Sequence, residues 1–67
     1  MAKYSNKEKA EAARREAHFR RGVYGRRVSE GKMRAEFARH QIALMDEIAE
    51  DYERLDKSDR PQLFDGG

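Results

Sequence analysis

Apolar positions recur most regularly between Met33 and Leu55, where Met33, Phe37, Ala38, Ile42, Leu44, Met45, Ile48, Ala49, Tyr52 and Leu55 are separated by charged or polar residues. Repeats of three, four and seven belong to one face of an α-helix, which turns once in 3.6 residues. They predict a helix over 33–56. Placed at 100° per residue, these side chains form a stripe roughly 160° wide, broader than the seam of a two-stranded coil. One facing helix leaves part of such a stripe uncovered.

The first half is patterned more weakly, but its start is marked. Ser5 followed by Glu8 is a capping box, in which each side chain satisfies a backbone N–H of the other residue. A helix should therefore begin near Asn6. Its interior, KEKAEAARREAHFRR, is rich in helix formers, with Glu11 ahead of Arg15 and Glu16 ahead of Arg20 in the favourable i, i+4 order. Gly22 and Gly25 weaken it, so the expectation is a helix to about Tyr24, a bend or break near Gly25, a short helical turn over 25–30, and Gly31 as the closing cap. The fold class is then all-α: an antiparallel helical hairpin, helices near 6–24 and 33–56, with its break near residues 25–32. Residues 6–56 form the single domain, 1–5 read as a flexible N-terminus and 57–67 as a flexible tail containing Pro61.

Size changes the picture. A chain of 67 residues buries little surface, and with no cysteine it has neither disulfides nor thiolate metal sites to compensate. Oligomerisation is the remaining support, and the wide stripe (Phe37, Ile42, Leu44, Met45, Ile48, Tyr52, Leu55) predicts a homodimer forming a four-helix bundle, with burial in a partner protein as the alternative. No apolar run is long enough for a signal peptide or a membrane span, so no membrane role and a cytoplasmic location are expected.

Charge is divided along the chain: residues 1–34 carry 11 Lys and Arg against 4 Asp and Glu, residues 35–67 carry 4 against 9, within a net charge of +2. Such a division describes either a basic nucleic-acid face or two halves that fold back and neutralise each other. In a hairpin, Asp46, Glu47, Glu50, Asp51 and Glu53 would lie beside Lys7, Lys9, Arg14 and Arg15, which accounts for the split without a ligand.

The densest candidate chemistry is RREAHFRRGVYGRR, residues 14–27, with Arg14, Arg15, Arg20, Arg21, Arg26 and Arg27 around Phe19 and Tyr24. Arginines contact phosphates and aromatics stack on bases, and the stretch resembles the arginine-rich helices of phage antitermination proteins. The alternative, favoured by the interspersed glutamates, packs Phe19 and Val23 with Ala12, Ala13 and Tyr24 on the second helix and leaves only outward arginines to a partner. Neither His18 nor His40 has neighbours arranged as a nucleophile and base, and the acid pairs Asp46/Glu50 and Glu47/Asp51 lack the Glu-x-x-His of a di-metal bundle. No enzyme activity, cofactor or metal is expected. PQLF, Pro61–Phe64, resembles part of the short peptides that dock on the bacterial sliding clamp but lacks their spacer; a tail folded back on the stripe is the preferred reading.

FRRGVYGRRVSEGKMRAEFARHQIALMDEIAEDY resembles small uncharacterised helical proteins of phages and prophages through Phe19, Val23, Tyr24, Val28, Gly31, Met33, Ala38, Ile42, Met45, Ile48, Asp51 and Tyr52, over about half the chain. Relatives of that pattern often have proline after the tyrosine, where this chain has Gly25. The resemblance implies a phage or mobile-element setting and assigns no activity. The functional expectation is a non-enzymatic protein-interaction module that binds and modulates a host protein or defence complex, with an arginine-rich nucleic-acid-binding protein as the alternative.

Overall fold

The computed structural model describes residues 3–59, which form two helices, α1 (Asn6–Ser29) and α2 (Ala35–Asp59), packed along their length. The contacts between them run in opposite directions. Lys9 lies over the Tyr52 ring, Arg14 reaches Asp46 and Glu53, and Arg20 reaches the Gln41 carbonyl, so early residues of α1 meet late residues of α2. This is the expected antiparallel hairpin, all-helical among the described residues. The PQLF segment and the rest of 60–67 lie outside them.

Both ends of α1 are closed as the local sequence dictates. Ser5 Oγ accepts from the Glu8 N–H at 3.0 Å and Glu8 Oε1 accepts from the Ser5 N–H at 2.9 Å, a complete capping box. These bonds hold the Glu8 carboxyl below the ordinary glutamate range. At the other end Gly31 adopts φ of +73°, its N–H donates to the Val28 carbonyl at 3.0 Å, and the Lys32 N–H donates to the Arg27 carbonyl at 2.8 Å. That pair of bonds is a Schellman motif, which needs a left-handed residue and therefore favours glycine.

The expected bend at Gly25 does not occur: α1 continues through it to Ser29, and the chain reverses over 30–34 instead. A helical glycine costs only about 1 kcal/mol relative to alanine. That cost is offset by the strong cap at Gly31 and by the partial burial of Tyr24 and Val28, one on either side of Gly25. Helix α2 starts at Ala35, two residues later than expected, and continues past residue 56 to Asp59.

The centre of the hairpin differs from the expected aromatic core. Among the described residues, the buried hydrophobic ones are Ala10, Ala13 and Ala17 on α1 and Ala38 and Ala49 on α2, and no large side chain is fully buried. Positions 10, 13 and 17 share one face, and their methyl groups let the helices approach closely. Phe19, expected in the core, is 61% exposed because it lies about 200° round from Ala17, and Ala12 is exposed as well. Val23 and Tyr24 are half-buried, Tyr24 on the line of the alanine row and Val23 about 100° round from it.

Candidate functional site

The wide stripe of α2 divides into two. Ile42, Met45 and Tyr52 flank the buried Ala38 and Ala49 and are half-buried against α1, whereas Phe37, Leu44 and Leu55 are 51%, 45% and 47% exposed. Ile48 is half-buried but falls on the same line as these three, within about 20° of it at 100° per residue. Asp46 and Glu53 lie about 50–70° from the alanine row in one direction, and the Phe37, Leu44, Ile48 and Leu55 line lies about 100° from it in the other. The hairpin thus has two unlike broad sides, one charged and one apolar.

On the charged side, Arg14 donates through Nε and Nη2 to the two Glu53 oxygens at 2.8 and 2.9 Å and through Nη1 to Asp46 Oδ1 at 3.3 Å. Arg21 pairs with the other Asp46 oxygen. The Arg14 bond holds the Glu53 carboxyl below its ordinary range, and Glu53 in turn raises Arg14. These contacts realise the fold-back of basic and acidic halves through Arg14 and Arg21; Arg15, expected beside the acids, lies about 100° further round α1 than Arg14 and pairs with none of the described ones, and Asp51 pairs with Arg54 on its own helix. Nearer the apolar side, Arg20 donates from Nε to Glu16 at 2.8 Å and from Nη1 to the Gln41 carbonyl at 3.3 Å, with its guanidinium 5.9 Å from the Tyr24 ring centre.

Half of the arginine-rich stretch is therefore committed to holding the hairpin together. Arg15, Arg26 and Arg27 are exposed and form no ion pair among the described residues, and Glu11 does not pair with Arg15. Arg26 and Arg27 join Val23, Glu30 and Lys32 around a shallow depression at the turn end of α1. With Lys32, Arg34 and Arg39 close by in the chain, this end is predominantly basic, its described acids being Glu30 and Glu36. Arg14 and Arg21 find their partners, Asp46 and Glu53, 25 to 39 residues away, a distance over which the local sequence does not separate them from the other four arginines. Spacing on α1 alone does hold the signal: Arg14 and Arg21 are seven apart and share a face, whereas Arg15 and Arg26 share another.

His18 and His40 are exposed, and the described residues contain no group of three His, Cys, Asp or Glu side chains placed to hold a metal ion. No described helix is long and apolar enough to cross a membrane. No family model matches the chain, nor does any curated protein or solved structure.

Proposed function

We propose that this chain is a non-enzymatic protein-interaction module of phage or prophage type, built as a homodimeric four-helix bundle, that binds and modulates a host protein or defence complex through the turn end of α1. The observation that carries this reading is the exposed pair Arg26 and Arg27, which pair with no acid among the described residues and lie at the edge of a depression that includes Val23; Arg15, also exposed and pairing with none of the described acids, lies further back on the same face of α1 as Arg26. Guanidinium groups on a rigid helix beside a small apolar patch suit a protein surface, because each can pair bidentately with a carboxylate or stack on an aromatic ring with little further ordering. The phage-type sequence pattern supplies the setting, and the surplus apolar surface of α2 supports the dimer.

The test is affinity capture of the tagged full chain from a host lysate, with and without nuclease. A protein partner should remain after nuclease, and Arg26→Glu with Arg27→Glu should weaken capture about tenfold or more while leaving helicity intact. Reversal at Arg20 and Arg21 should weaken it too, but those side chains also hold Glu16, the Gln41 carbonyl and Asp46, so helicity must be checked there. The basic turn end also favours the second reading, nucleic-acid binding. Capture that disappears with nuclease, or binding to generic duplex DNA or RNA that falls steeply with salt, would select it.

A further inference from the structure

We propose that the exposed apolar line of α2 is a two-fold self-pairing seam, occupied by α2 of a second copy running antiparallel to the first and centred on position 46. This rests on the dimer reading above and specifies its surface and orientation.

Leu44 and Ile48 lie two residues either side of position 46, and Phe37 and Leu55 lie nine residues either side. Read from either end, the line has large apolar side chains at the same distances from its centre. A two-fold interface requires such self-complementarity, since each contact must occur twice with the roles exchanged. Antiparallel pairing centred on 46 sets Phe37 of each copy on Leu55 of the other, and Leu44 on Ile48. Asp46 itself points to the opposite side of the hairpin, where Arg14 and Arg21 hold it, so no carboxylate lies in the seam at the two-fold.

Charge selects the same orientation independently. Around the start of α2 the chain carries Lys32, Arg34 and Arg39 and follows Arg26 and Arg27, while its second half carries Glu47, Glu50, Asp51, Glu53 and Asp56. An antiparallel partner brings each basic end beside an acidic end, and a parallel one stacks like on like. Along the outer edge of the seam, Arg54 falls near Glu36 and Asp51 near His40 of the other copy. Glu47 meets its counterpart near the two-fold, a single like-charge pair at an exposed position. The exposed Arg15 and Arg26, on the far side of α1, stay outside the seam.

A second copy also supplies what the hairpin lacks. Among the described residues its own centre contains five buried alanines and no fully buried large side chain, while three large hydrophobics stand about half exposed in a row on α2. Large apolar side chains aligned on one exposed line, with Gln41 and Asp51 between them, are surface that a second copy can cover.

Two variants of the full chain, Leu44→Lys and Ile48→Glu, test the seam by analytical ultracentrifugation and far-UV circular dichroism. The parent should sediment as a dimer at micromolar concentration. Each variant alone places two charges against two apolar side chains and should lose self-association about a hundredfold. Mixed in equal amounts, they form a heterodimer in which the introduced lysine of one copy faces the introduced glutamate of the other, and one native Ile48–Leu44 contact remains. The dimer, and any helicity lost with it, should then return. Parent dimers that persist in both variants, or variants that dissociate and are not restored by mixing, remove this seam and leave the dimer reading standing; a parent that is monomeric removes both.

Discussion

At Gly31 the backbone takes φ of +73°, a region where a Cβ costs roughly 1–2 kcal/mol, and the space around it is open. Gly25 sits in mid-helix with equally open space and a negative φ. The same substitution should therefore act oppositely at the two positions. Gly31→Ala should destabilise by about 1 kcal/mol, and Gly25→Ala should stabilise by roughly 0.5–1 kcal/mol through lost freedom of the unfolded chain. Urea titrations followed by ellipticity distinguish them. If both changed stability in the same direction, strain at the turn would not be what separates them. Ser5 acts at the other end of α1, where Ser5→Ala should cost about 1 kcal/mol with the loss of the capping box.

Between the helices, stability depends on small size and charge. Ala17 is completely buried, so Ala17→Leu must push α1 away from α2 and should cost about 1–3 kcal/mol, whereas the exposed Ala12→Leu should be nearly neutral. The Glu53 and Glu8 carboxyls are held below the ordinary glutamate range, one by the Arg14 guanidinium and the other by the Ser5 N–H. Groups with depressed folded-state values stabilise above their unfolded values, near 4.3 for glutamate, and lose that contribution as pH falls through the folded ones. Thermal stability should therefore decline as pH drops from about 5 into the range below about 4, and Glu53→Gln should flatten part of that decline. The antiparallel order, the capping box, the Gly31 cap and the fold-back of basic on acidic halves were all legible in the sequence, because each is a local signal or a bulk charge balance. The end of α1 was not: Gly25 carries the same local signal as a real break, and what overrides it is a cap and packing formed elsewhere. Phe19 misled for a related reason, since hydrophobicity marks a residue as suited to burial without saying that an alanine row already occupies the inward face.

For the whole molecule, the innermost row of the helix interface is made of methyl groups. Knobs of differing size set a lock with one position; a row of equal small ones is closer to a rail. Along the rail, alignment rests on Arg14 and Arg21 gripping Asp46 and Glu53, with Arg20 on the Gln41 carbonyl, Lys9 over Tyr52, the half-buried Ile42, Met45 and Tyr52 and the short link between the helices adding to it. Neutralising the grips leaves the rail intact. Arg14→Gln with Arg21→Gln should therefore keep most of the helical ellipticity while the NMR amide signals of residues 38–53 broaden or double as α2 shifts lengthwise on α1. Sharp single signals in that variant would mean that alanine contacts alone set the alignment. A molecule held this way keeps its shape at neutral pH and yields by sliding before it yields by unwinding.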